Sequence, residues 1–168
     1  MTRRARVGAW LALLAIAGCG FQLRTWELAA AFETVRIDAE RGVDLDVDLA
    51  RALESAGVRR VDAGADVVVR LTDQNEDWRS VSVTRGARTA EYELALQVSF
   101  AVSDGEGGEL AAARVLRAER VARLDRDNLI GSSEERRLLA AEARGDLVGR
   151  MVRVLDALSR HSDDADSR

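Results

Sequence analysis

The chain has 168 residues, enough for one domain with a real core, and its 47% hydrophobic and 32% charged content is typical of a soluble globular body. Its formal net charge is −4, and all 25 basic residues are Arg, outnumbered by 29 acidic ones, which excludes a polycationic nucleic-acid binder. The single cysteine, Cys19, excludes an internal disulfide.

The first 18 residues have the pattern of a signal peptide that ends at a cysteine. Three arginines within the first six residues precede an apolar run over residues 7–17, which is shorter than the roughly 20 residues of a transmembrane helix. Small Ala17 and Gly18 precede Cys19, and the segment resembles the lipobox of bacterial lipoproteins. An ordinary secretory signal with a chance cysteine is the alternative.

The lipobox resemblance implies cleavage before Cys19, thioether diacylation of its sulfur and N-acylation. Several acyl chains give stable membrane anchoring, whereas one chain is marginal. Gly20 stands where an inner-membrane retention signal would have Asp, so outer-membrane sorting is the default expectation. The mature chain keeps 22 Arg against 29 acids, a charge of −7. The predicted parts are a signal peptide over 1–18, a lipidated tether over 19–33, a domain over 34–160 and a flexible tail over 161–168.

The first elements of the domain are a short strand and a helix. Residues Thr34 to Asp38 alternate between apolar and polar side chains, which predicts a strand. Asp44 to Ala56 repeats leucines at helical spacing, with acidic residues in the first turn, and Gly57 follows as a residue that can end a helix.

Three longer stretches then predict an antiparallel sheet. Asp66 to Thr72 is β-branched and Trp78 to Thr84 alternates, with a polar bulge or bend over 73–77 between them. Thr89 to Val102 matches period two at seven consecutive apolar positions and is the clearest strand. Glu109 to Arg123 returns after a Gly-rich hairpin and changes phase, which indicates a bulge.

A long amphipathic helix closes the domain. Ser132 and Glu135 have the spacing of a capping box, so the helix is expected to begin at Ser132 and to run to about Ser159. The predicted fold class is α+β: a two-layer sandwich, with a mostly antiparallel sheet of about four strands and two helices on one face.

These residues resemble the LptE family, the outer-membrane lipoproteins of the lipopolysaccharide translocon. The matching segments are Cys19–Arg24, Thr89–Leu94, Arg117–Arg120 and Glu142 in the last helix. The resemblance implies an α/β plug inside the LptD β-barrel, which helps to assemble that barrel, binds lipopolysaccharide and delivers it to the outer leaflet. The implied location is the outer membrane, lipid-anchored on the periplasmic side and in the barrel lumen.

The resemblance also implies a glycolipid contact at a loop. The family's arginine before the Ala-Glu-Tyr strand matches Arg85, with Arg88 close by, and guanidinium groups pair well with phosphates. A second basic position, in the loop before the last helix, falls on Ser132, with Arg126 several residues earlier. The competing interpretation of Arg85 and Arg88 is a solvated turn in an arginine-rich chain.

Other candidate residues carry weaker signals. Arg70 and Arg79 on predicted strands either extend the basic surface or guard a strand edge. Glu91 and Glu93 share a strand face but have no nucleophile or histidine beside them, so a solvated or partner-facing surface is favoured over acid–base chemistry.

Three classes of function remain at this point. The only histidine, His161, lies in the predicted tail, so no metal, cofactor or catalytic triad is expected. Trp26 and Trp78 either contact a partner or lipid or pack in the core. The sequence favours a non-enzymatic transport and assembly subunit, with a stand-alone periplasmic binding or scaffold lipoprotein as the alternative and an envelope enzyme as the third class.

Overall fold

A computed structural model describes residues 32–82, 89–125 and 129–166 of the chain. Two helices and five strands make up this part, in the order β1, α1, β2, β3, β4, β5, α2. The bounds are β1 Thr34–Ala39, α1 Leu45–Ser55, β2 Arg59–Arg60, β3 Val67–Ser82, β4 Thr89–Asp104, β5 Glu109–Asp125 and α2 Leu129–Asp166.

The five strands form one mixed sheet with the order β2-β1-β3-β4-β5. β1 runs parallel to both of its neighbours, whereas β3, β4 and β5 pair antiparallel. Both helices supply apolar side chains to one core cluster against the sheet. The predicted α+β class is confirmed, and the sheet has five strands rather than about four.

The period-two pattern of β4 places its apolar side chains under the helices. Leu94, Leu96, Val98, Phe100 and Val102 are buried, as their alternation predicts. From α2, Ala143, Leu147, Met151 and Leu155 pack into the same core, as do the three leucines of α1. The face of the sheet opposite the helices is called the open face below.

The two stretches predicted on either side of residues 73–77 are one continuous strand, β3, with an irregularity between them. The pairing of β3 with β4 shifts between Thr72 and Asn75, and Asp73 has a positive φ of 52°. The predicted bulge in β5 is also confirmed, since the β4–β5 register shifts near Val102. These irregularities let strands of 16 or 17 residues stay in register and twist.

β2 is the strand that the sequence did not predict. It has two exposed residues, Arg59 and Arg60, and no alternation to reveal it. It forms by pairing parallel to β1, with the N–H of Arg59 donating to the main-chain oxygen of Glu33 at 2.8 Å. Tertiary pairing rather than local propensity creates it.

The last helix begins earlier and ends later than predicted. α2 starts at Leu129, so the expected N-cap role of Ser132 is wrong: Ser132 lies inside the first turn. The helix also continues to Asp166, through most of the segment predicted as a tail, because no Gly or Pro interrupts it there. Within the described ranges, neither helix is long and apolar enough to cross a membrane.

Candidate functional site

One end of three strands, β3, β4 and β5, and the start of helix α2 lie at the same end of the sheet, which is called the distal end here. β3 stops at Ser82, β4 starts at Thr89, and Thr89 pairs with Asp125 at the end of β5. α2 begins at Leu129, four residues after Asp125. The links 83–88 and 126–128 therefore both leave the sheet at its distal end.

The predicted glycolipid residues Arg85 and Arg88 lie outside the described residues, in the 83–88 link. The structure supplies the strand ends on either side of them. Ser132, expected in the loop before the last helix, lies instead within α2. The β5–α2 link is 126–128, so by chain position Arg126, and not Ser132, falls in that loop.

The open face near the distal end carries paired charges. Arg79 on β3 forms an ion pair of 2.5 Å with Glu93 on β4, which stands opposite it in the register. On β4 and β5, Glu91 and Arg123 pair at 2.8 Å. Both candidate acidic residues are thus bound to arginines on the open face.

Arg70 and Arg79 are not brought together. Arg70 stands opposite Ala101 and Arg79 opposite Glu93, so eight residues of β4, about 26 Å, separate the two positions. Arg70 is exposed and lines a shallow groove of about 220 Å³ with Ser103 and Glu109. A continuous basic surface through both arginines is therefore not formed by their strands.

Exposed valines also lie on the open face. Val115 and Val121 on β5 stand opposite Ser99 and Glu93 and are 64% and 62% exposed. Between them, Arg117 pairs with Glu119 at 2.7 Å. The face alternates apolar side chains with neutralised charges.

The outer edge of the sheet is formed by β5, and arginine side chains bind two of its main-chain oxygens. Arg150 on α2 donates to the main-chain oxygen of Arg117 at 2.9 Å, and Arg120 donates to that of Glu119 at 2.8 Å. The guanidinium group of Arg150 also donates to the Asp146 carboxylate at 2.8 Å. This hydrogen bond lowers the pKa of Asp146. Such contacts oppose pairing with a further strand, so the open face is the better docking surface.

The helix side of the distal end has an aromatic cluster. Trp78 is half-buried against the core, and its indole N–H donates to Glu76 at 2.9 Å. The guanidinium carbon of Arg136 on α2 lies 5.3 Å from the Trp78 ring centre and 5.0 Å from that of Tyr92. Sequence reasoning missed Arg136, because only the register of β3 and β4 places the two rings beneath it.

A polar link joins the two helices far from the distal end. Arg144 on α2 donates to Asp44 and Asp48 at the start of α1, both at 2.8 Å. Burial by itself would raise the pKa of Asp44, but hydrogen bonds from Gln74 and Arg144 outweigh it and lower that pKa. The link fixes α2 along the sheet and so positions its distal turns.

A metal site finds no support in the described ranges. They contain no group of three or more His, Cys, Asp or Glu side chains placed to hold a metal. His161 lies near the end of α2, and Cys19 and Trp26 lie outside the described residues. What the site does offer is an exposed sheet face and an arginine-rich distal end.

Comparisons with known proteins place this fold in a family. Residues 31–155 match the model of the family described as LptE: Lipopolysaccharide-assembly. No curated protein matches the chain.

Solved structures of other lipoproteins share the fold. The uncharacterized lipoprotein B of Nitrosomonas europaea is 24% identical with a TM-score of 0.72, covering 84% of this chain and 93% of that one. The minor lipoprotein of Acinetobacter baumannii is 20% identical, with a TM-score of 0.62 and coverage of 74% and 91%. The rare lipoprotein B of Shewanella oneidensis is 23% identical, with a TM-score of 0.60 and coverage of 79% and 98%.

Proposed function

Because the chain belongs to the LptE lipopolysaccharide-assembly family, we propose that it is a non-enzymatic lipoprotein that plugs an LptD-type β-barrel and helps to assemble it. In this role it binds lipopolysaccharide and assists its delivery to the outer leaflet. The observation that carries the proposal is the family match over residues 31–155, which spans the whole two-layer core.

The open face supports a protein partner. It offers the exposed side chains of Val115 and Val121, with the ion pair of Arg117 and Glu119 between them. Such a mixture of apolar side chains and paired charges is typical of interfaces between separate chains. The lumen of a large barrel is polar, so a surface with paired charges fits there better than a wholly apolar one. The barrel wall is the occupant that we assign to this face.

Lipidation at Cys19 would hold the domain at the outer membrane. The segment from Gly20 to Glu33 has 14 residues, which span at most about 45–50 Å when fully extended. That reach is compatible with a domain that enters a barrel from its periplasmic end while its acyl chains stay in the inner leaflet.

The distal end is the proposed site of lipopolysaccharide contact. Arg85 and Arg88 stand in the link between β3 and β4, and guanidinium groups bind phosphate oxygens in a bidentate manner. The variant Arg85→Asp reverses one charge there, and we expect weaker glycolipid binding with an unchanged fold. Unaltered binding by the purified variant would remove Arg85 as a contact.

A matched pair of variants tests the barrel contact. Val115→Arg places a charge on the open face, whereas Val47→Arg changes a valine of similar exposure, 53%, on α1. We expect Val115→Arg to lower the yield of barrel protein that co-purifies in mild detergent, because an unpaired charge is desolvated at the interface, and Val47→Arg to leave it unchanged. Recovery of the wild-type lipoprotein alone, as a monomer, would instead support the stand-alone alternative.

A further inference from the structure

The sheet leaves more than half of strand β3 paired on one side only. β1 pairs with β3 from Val67 to Leu71, and the N–H of Glu40 then donates to the main-chain oxygen of Leu71 at 3.0 Å. β3 continues to Ser82 with β4 on its other side. In the described part of the chain, no strand lies beside residues 72–82 on the side away from β4. This stretch is called the free edge below.

The two helices lead away from the free edge. α1 begins beside it, where the N–H groups of Asp44 and Leu45 both donate to the side-chain oxygen of Gln74 at 3.1 Å. From there α1 runs toward the other end of the sheet and leads into β2, while α2 packs over β5 and β4. All residues from 73 to 81 are exposed except Gln74 and Trp78. The free edge is therefore open to a further strand.

The free edge differs from the edge of β5 in its side chains. The arginines that bind main-chain oxygens of β5 have no counterpart among the described residues of the free edge. Instead it carries three acidic residues, Asp73, Glu76 and Asp77, which form no ion pair within the described ranges. Its one base, Arg79, is held by Glu93. The free edge thus has an excess of negative charge.

This charge favours one kind of partner over another. A second copy that paired through the same edge about Asp77 would set Asp77 against Asp77, and like charges directly opposite each other are destabilising. A strand with Lys or Arg side chains would instead place opposite charges side by side. The free edge therefore resists self-pairing and suits an extended segment that carries bases.

The length of the free edge suits a strand of a membrane barrel. It has 11 residues, from 72 to 82, and a transmembrane β-strand has about 9–11. The lumen-facing side chains of barrel strands are polar, so they can include bases. A closed barrel has no unpaired strand to offer, and pairing is thus possible only before the barrel closes.

We propose that the free edge pairs with an unpaired, base-carrying strand of the barrel partner before the barrel closes, and gives it up when the barrel strands pair with one another. The proposal rests on the proposed function and supplies a mechanism for its assembly step. Main-chain hydrogen bonds to β3 would hold the incoming strand extended and keep its own edge from aggregating. The contact is transient, whereas the contact through the open face persists in the finished complex.

Pulse–chase cross-linking in intact cells tests this assignment. The full-length lipoprotein carries a photo-reactive residue at Asn75 on the free edge, at Val115 on the open face, or at Val47 on α1 as control. The probe is LptD-type barrel protein labelled during a short pulse. We expect the Asn75 cross-link to this protein to be strongest directly after the pulse and to fall to the Val47 background during the chase. The Val115 cross-link should rise and persist.

A charge variant gives an independent readout. Asp77→Lys reverses one acid of the free edge, and Asp62→Lys reverses an exposed acid in the loop after β2 as control. We expect Asp77→Lys to slow the appearance of folded barrel, measured by its gel mobility without heating, about threefold, because attraction to the incoming strand becomes repulsion. The final amount of complex and the Tm of the lipoprotein should stay as in wild type, and Asp62→Lys should assemble the barrel at the wild-type rate.

Several results would overturn the assignment while leaving the proposed function intact. They are an Asn75 cross-link to the barrel that persists through the chase, an Asn75 cross-link to a second copy of the lipoprotein, no Asn75 cross-link to the barrel where Val115 gives one, and a wild-type rate of assembly in Asp77→Lys. Absence of any barrel cross-link from Val115 as well, at all times of the chase, would refute the proposed function itself.

Discussion

The link between the two helices makes a quantitative prediction. Arg144 donates three hydrogen bonds, to the side chains of Asp44 and Asp48 and to the main-chain oxygen of Asp44. The variant Arg144→Gln removes the charge and leaves both carboxylates without this cation. The Arg144 side chain is 23% exposed, so the loss of stability is larger than for an ordinary surface ion pair.

The expected size follows from the exposure of the partners. Charge-assisted hydrogen bonds contribute about 1.5–3 kcal/mol each, but the Asp44 side chain is 65% exposed and regains water in the variant. We therefore expect a loss of about 2 kcal/mol in the free energy of unfolding rather than the sum of three bonds. For a domain of this size that corresponds to a fall in Tm of roughly 6–10 °C.

The pH dependence gives a second readout. The folded protein lowers the pKa of Asp44 below its ordinary value of 3.8, so the stabilisation is fully present above that value and is lost as the pH falls through the lower folded pKa. The gap in Tm between wild type and Arg144→Gln should thus be widest near neutral pH and shrink as the pH falls below 3.8 and through the lower folded pKa of Asp44.

Calorimetry on the purified domain measures both effects. Arg153→Gln on the same helix is the control, and we expect it to stay within about 0.5 kcal/mol of wild type, as exposed substitutions usually do. The reasoning would be refuted if Arg144→Gln had the same Tm as Arg153→Gln. It would also be refuted if the difference in Tm between wild type and Arg144→Gln were as large in acid as at neutral pH.

Three further predictions concern the core, a hairpin turn and the last helix. Leu147→Ala, at a fully buried position, should lower the free energy of unfolding in denaturant by about 2–5 kcal/mol, whereas Leu138→Ala on the exposed side of the same helix should change it little; equal effects would mean that α2 packs differently. Gly105→Ala should destabilise the β4–β5 hairpin, because the new methyl group meets the main-chain oxygen of Ala65. Gly145 lies in α2 with open space around it, so Gly145→Ala should instead raise the free energy of unfolding by up to about 1 kcal/mol and raise Tm with it. A Gly105→Ala protein that is more stable than wild type would contradict the turn geometry.

The strands and the core could be predicted where one period dominates. β4 alternates over its whole length, and its buried side chains are those that the alternation selects. β2 could not be predicted, since two exposed arginines pair with β1 only after the chain has folded back. The start of α2 was missed because Ser132 and Glu135 satisfy a capping pattern while the residues before them also adopt helical conformation.

The candidate site was less accessible to sequence reasoning, because contacts across strands depend on register. The ion pairs of Glu91 and Glu93 require the alignment of β4 with β5 and β3, which a bulge in β3 displaces. The stack on Arg136 needs that register and the placement of α2 as well. In the sequence, Arg79 and Arg136 are two arginines among 25, and only the fold gives one a carboxylate and the other two rings.

The most direct test of the central claim is site-specific cross-linking in intact cell envelopes. A photo-reactive residue at Val115 on the open face, and a second at Val47 on α1 as control, report what each surface touches. The account predicts that Val115 gives a cross-link to a large outer-membrane β-barrel of the LptD type and that Val47 gives much less. A Val115 cross-link to no barrel, in envelopes where the lipoprotein is present at its natural level, would contradict it.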